Sequence, residues 1–197
     1  MAYFEFSPLP HYYLFYNSAP HQPIETNRII MSALKYLAGY PVPVQDQVSA
    51  AISSKTLGHY LLSKYPDTHN IKSNKALYDY VMDMKNQHLR QSNTLSKVIY
   101  DDKLDVLHNA LGLHSYVSRV QGGKLKAKNE MRIGTVFKSA PEAFLNMIVV
   151  HELAHLKEKD HNKSFYKLCT HIQPDYHQLE FDVRVYLTHL EIFGDLY

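Results

Sequence analysis

His151 and His155 lie four residues apart, with Glu152 directly after the first. On a helix, residues four apart share a face one turn apart, so both imidazoles can reach one metal ion. Glu152 is rotated about 100° from His151, which places it poorly as a ligand from that face but well as an acceptor of a water proton. The chemistry this implies is hydrolysis by a metal-activated water with a glutamate general base. Two imidazoles and a carboxylate in an apolar stretch are costly unless something offsets their desolvation.

A catalytic zinc site needs a third protein donor and one open position. His161 is the expected third ligand. On a continuous helix it would lie about 15 Å along the axis from His151, so the chain must turn between His155 and His161. The charged segment Lys157-Glu158-Lys159-Asp160 suits a turn, with Asp160 able to cap a helix starting near His161. Glu158, His171, His177 and Glu180 are competing donors.

The segments Val149–Lys157, His161–Tyr166 and Pro174-Asp175-Tyr176 resemble the YgjP-like metallopeptidase family, related to the SprT-like zinc proteases. The good match covers roughly Gly134–Tyr176. The resemblance implies a compact zincin-type domain. It also implies zinc held by His151, His155 and His161, Glu152 as the base, and a peptide or protein substrate; the alternatives are a zinc-dependent hydrolase of a non-peptide bond and a zinc-binding interaction module without turnover. Zincins further imply an edge strand beside the metal, on which an extended peptide adds as one more strand.

The elements that must position these residues follow from patterning. Phe144–Val150 is apolar nearly all round, so Pro141 to about Glu158 reads as one buried helix. Ser139 and Glu142 form a capping box at its start. Leu113–Val120, Lys124–Lys126 and Met131–Phe137 read as strands, with turns at Gln121-Gly122-Gly123 and Lys128-Asn129. The last strand leads straight into the motif helix, and Gly134 permits close backbone approach. After the motif, helices are expected from His161 to about His171 and from about Tyr176 to Phe193. Arg184, Tyr166 and Tyr186 could steady an oxyanion, and Asp182 could orient a ligand imidazole.

Upstream, Pro8, Pro10, Pro20 and Pro23 mark an extended arm, with Tyr12–Tyr16 as a short strand or strap. Helices are expected over about 25–37, 44–63, 74–89 and 101–111, with Gly58 weakening the second. The fold class is therefore α+β, mostly α: a zincin-like domain whose small antiparallel sheet packs on the motif helix, preceded by a helical region. The division expected is 1–110 for the arm and helices and 111–197 for the catalytic domain.

Composition bounds the rest. The chain has 197 residues and a formal net charge of +2, which argues against a strongly basic nucleic-acid binder and leaves nucleic acid as a weakly supported partner. Lys124, Lys126, Lys128, Arg132 and Lys138 form a modest basic cluster whose usual outcome is a solvated strand face, with phosphate contact as the alternative. Cys169 is the single cysteine, so neither an internal disulfide nor a four-cysteine zinc site can form. No signal peptide is expected, no apolar run reaches membrane-spanning length, and a cytoplasmic protein is expected.

Overall fold

The structure, a computed structural model, describes residues 33–103, 112–121 and 124–197. The arm at 1–23, most of the helix expected at 25–37, and 104–111 of the helix expected at 101–111 lie outside the described residues. The elements are α1 (Val42–Ser53), α2 (Leu57–Lys64), α3 (Asn74–His88), β1 (Leu95–Asp101), β2 (Gly112–Gln121), β3 (Lys124–Gly134), α4 (Glu142–Ala154), α5 (Lys163–Ile172) and α6 (Tyr176–Phe193). The fold is α+β and mostly helical.

Contacts divide the chain into two compact units, one of 1–66 with 180–196 and one of 67–179 with Tyr197. The boundary expected near residue 110 does not coincide with this division. β1 pairs with β3 across that position and ties both sides into one unit.

In the first unit, the helix expected over 44–63 is two helices. The break falls at Ser54–Thr56, where Lys55 adopts φ 57°, and not at Gly58. Gly58 has a different role: a Cβ there would meet His189 Cε1 at 2.8 Å. Asp182 is fully buried and accepts from Tyr60 Oη (2.7 Å), Lys64 Nζ (2.7 Å) and Tyr65 Oη (2.6 Å). Three donors satisfy a carboxylate that would otherwise be very costly to bury. Asp182 is thus a hub joining α2 to α6, and the role expected for it, orienting a ligand imidazole, is corrected. Arg184 donates to Glu180 Oε1 (2.8 Å) and to the Tyr36 carbonyl (3.1 Å).

The second unit carries the sheet and α4. The sheet order is β1-β3-β2, with β1 parallel and β2 antiparallel to β3. The expected all-antiparallel sheet is therefore mixed. The β2–β3 hairpin gives the antiparallel half. β1, unforeseen as a strand, adds to the other side of β3.

Two consequences follow. β3 runs unbroken through Lys128-Asn129, where a turn was expected, and gives way at Thr135 to a 3₁₀ turn, Thr135–Ser139. It is also central rather than an edge: Asn129–Ile133 is paired on both sides. Arg132 on β3 donates to Asp101 (2.6 Å) and Glu130 (3.4 Å), so its charge is already matched by carboxylates.

α4 forms as its composition demands. Phe144, Leu145, Met147, Ile148, Val149, Val150, Leu153 and Ala154 are all fully buried. Its start is set by Pro141 and not by a capping box. Pro141 is the N-cap with no side-chain bond, and Ala140 before it is held extended (φ −80°, ψ 168°). Glu142 in the first turn faces the positive helix end.

His69 pins the segment ahead of α3 to the 3₁₀ turn before α4. It is buried, with Nε2 2.8 Å from the Phe137 carbonyl and Nδ1 accepting from the Ile71 amide at 3.0 Å. Both bonds require a neutral ring protonated at Nε2. Burial, reinforced by the charge of Lys72, holds its pKa below 6.5 against the pull of the Phe137 carbonyl and Glu142. The unfolded chain then binds the proton first as pH falls, so stability rises with pH below about 6.5 and levels off above it. We expect His69→Ala to lose about 1–3 kcal/mol at pH 8. His69→Gln should show a shallower acid decline than the parent in urea melts between pH 5 and 7.

Candidate metal centre

α4 ends where the site requires it to. His155 is the C-cap, and the amides of Leu156 and Lys157 bond back to Leu153 and Ala154 in a tightened turn. The Glu158 carbonyl then lies 2.9 Å from His155 Nδ1. The turn that reverses the chain thereby also fixes the ring. α5 begins at Lys163, capped by Asn162, whose Oδ1 accepts from the Phe165 amide at 2.9 Å. The expected cap, Asp160, lies two residues too early. Its carbonyl accepts instead from the Asn162 amide.

This folding brings His151, His155 and His161 together. Their Nε2 atoms are 3.3 Å (151–155), 3.1 Å (151–161) and 3.1 Å (155–161) apart. Glu158, His171, His177 and Glu180 are not part of the cluster. His151 is buried, His155 half-buried and His161 exposed, so the group is reached from one side. The Phe165 ring, fully buried, lies 4.7–5.0 Å from all three imidazole centroids and walls off the other side.

The donor set fits a metal. His155 Nδ1 faces a carbonyl and must carry the ring's proton, so Nε2 presents a lone pair. Burial, the largest influence on His155, holds its pKa below the ordinary value and favours this neutral form. Lone pairs converging at such distances repel unless a cation lies between them. Bonds of 2.0–2.1 Å at tetrahedral angles separate two zinc-bound nitrogens by about 3.3 Å, close to the spacing found. Glu152 adds a second sign. Its side chain is buried, Oε2 has no hydrogen-bond partner, and burial pushes its carboxyl up to about 8. A carboxyl group kept in an apolar helix with a buried oxygen unpartnered points to a ligand not supplied by the protein.

The partner that orients His151 was not legible in advance. Tyr176, fully buried, places Oη 2.7 Å from His151 Nδ1, and its ring lies nearly parallel to the imidazole (18°). With Nε2 kept for the metal, Nδ1–H donates to the phenol oxygen. Tyr176→Phe keeps the ring and removes the hydroxyl that accepts from His151. We expect zinc affinity, measured against a chromophoric chelator, to fall about 10–100-fold, while the metal-free protein melts within a few degrees of the parent. Tyr166 stands beside the cluster, its ring centroid 6.4 Å from that of His161.

The family model described as YgjP-like, metallopeptidase domain matches residues 42–183. A relative named UTP pyrophosphatase, from Escherichia coli (strain K12), is 59% identical over 162 residues, covering 82% of this chain and 97% of that protein. No solved structure matches.

Proposed function

The chain belongs to the YgjP-like metallopeptidase-domain family, and on that premise we propose that it is a zinc-dependent hydrolase of UTP, releasing pyrophosphate. The observation that carries the hydrolytic reading is the convergence of three imidazole Nε2 atoms beside a buried glutamate. The choice of substrate follows the activity in the relative's name. The strand expected to receive a peptide is not free, and the edges of the sheet among the described residues are β1 and β2. A peptide cannot add to β3 over Asn129–Ile133, because β1 and β2 already hold both sides.

In this reading His151, His155 and His161 are the ligands and Glu152 is the general base. Three neutral imidazoles suit zinc better than magnesium or calcium, which prefer oxygen donors. Zinc, when bound, lowers the pKa of water to about 7 and offsets negative charge on phosphoryl oxygens. Glu152 takes one proton from the attacking water as the water oxygen bonds to the α-phosphorus. The bond from that phosphorus to the bridging oxygen breaks, and its electron pair leaves with pyrophosphate. Glu152 then returns its proton to the leaving oxygen or to solvent, so UTP and water give UMP and pyrophosphate. Tyr176 holds His151 in the required tautomer, and Phe165 keeps water from the rear of the cluster.

Peptide hydrolysis, the substrate class first expected, stands as the second reading, favoured by the description of the family model. A panel of UTP, other nucleoside triphosphates and a peptide library separates the two, with Glu152→Gln run beside the parent protein. Glu152-dependent peptide cleavage without pyrophosphate release from UTP would overturn the first reading.

A further inference from the structure

A pocket of about 240 Å³ lies between α3, α4 and the end of α5. Tyr80, Met84 and Ile172 give it apolar and aromatic surface, and Gln87, Asn146 and Gln173 add three carboxamides. The Oδ1 atom of Asn146 is buried and has no hydrogen-bond partner in the protein. Leaving such an acceptor unpaired costs about 1–3 kcal/mol. The space is far larger than a single water needs.

Asn146 is five residues before His151 on α4. It therefore lies about 7.5 Å along the axis and about 140° around it, on the face turned away from the metal ligands. The pocket is thus separate from the hydrolytic site. We propose that it binds an uncharged pyrimidine base, free or as its nucleoside, through the edge on which a ring N–H adjoins a carbonyl. A carboxamide presents a donor and an acceptor side by side, and that edge presents the complementary pair whichever way the amide is turned. Tyr80 and Met84 offer faces for a flat ring. Asp83, exposed at the rim, repels a phosphate, which favours the nucleoside over the nucleotide.

The test is calorimetric titration of uridine into the full zinc-loaded protein, with UMP alongside, repeated for Asn146→Leu and for Gln87→Leu at the exposed rim. One equivalent of uridine should bind, with UMP at least about tenfold weaker. Each variant should weaken uridine about tenfold, the effect of one lost hydrogen bond of about 1.4 kcal/mol, with UTP hydrolysis unchanged. Gln87→Leu decides the matter if Asn146→Leu does not fold. Absence of uridine binding, equal affinity for UMP, or uridine binding unaltered by the folded variants would each overturn the assignment. So would displacement of uridine by a non-hydrolysable UTP analogue, because it would move the binding to the metal site. This inference stands apart from the proposed activity: a protein inert towards UTP could still bind uridine here, and an active one could fail to.

Discussion

Glu152→Gln is expected to bind zinc as the parent does and to release pyrophosphate from UTP about 10²–10⁴-fold more slowly, the usual loss when a general base is removed. The substitution keeps shape and volume in a position that is only 1% exposed, so packing around the cluster should not change. In the proposed mechanism it removes the atom that accepts the water proton and leaves untouched the three imidazoles that would hold the metal. The loss should therefore appear in kcat rather than in zinc content. Stability supplies a control. Burial pushes the Glu152 carboxyl up to about 8, so around neutral pH folding must protonate a group that is ionised in the unfolded chain, at a cost in stability, and a neutral amide carries no such cost. The metal-free variant should thus melt no lower than the parent. A variant that is slow because it is unfolded would melt lower, and one that hydrolyses UTP at the parental rate would remove Glu152 from the chemistry.

The parts of this site that were legible in the sequence are those fixed by local periodicity. The four-residue spacing of His151 and His155, the apolar run before them and the charged segment after them required a helix followed by a reversal. His161 was the donor such a reversal could return. Non-local pairing left weaker traces. In β1 the apolar alternation is interrupted by a register shift between Leu95 and Lys97. Val98-Ile99-Tyr100 is a short signal beside the helical pattern upstream. That omission concealed the pairing on both sides of β3, and so made the strand appear available to a peptide. Tyr176 was hidden for a different reason. Its phenol reaches His151 only because α5 has a particular length and the turn at Gln173–Tyr176 closes with a Tyr176 amide to Gln173 carbonyl bond of 3.0 Å. A distance of 25 residues in sequence carries no periodic trace of that contact. Asp182, an acid at the expected remove, was the more obvious candidate, yet three donors within its own unit already hold it.

His161→Ala should abolish UTP hydrolysis and leave the metal-free fold intact. His151 and His155 come from one helix and are positioned by Tyr176 and the Glu158 carbonyl. His161 comes from beyond the turn, is exposed, and contributes little buried surface. Its removal therefore withdraws one donor in three without opening a cavity. Two imidazoles alone leave zinc with half of a tetrahedral shell to fill from water. The affinity should fall by more than the 10–100-fold typical of losing an outer partner. Thermal melts make the difference visible without any assay of activity. Zinc at about 100 times its dissociation constant stabilises the parent by about 2.7 kcal/mol, and at the same free concentration the variant should gain almost nothing. If zinc raised the melting temperatures of both proteins equally, the third donor would lie elsewhere. Glu158, His171 and His177 would then need the same substitution. Residue 161 is the discriminating choice because its alanine variant separates a cluster assembled to hold a cation from histidines that merely pack together. A packing role predicts lost stability without metal, and a ligand role predicts lost stability only when metal is present.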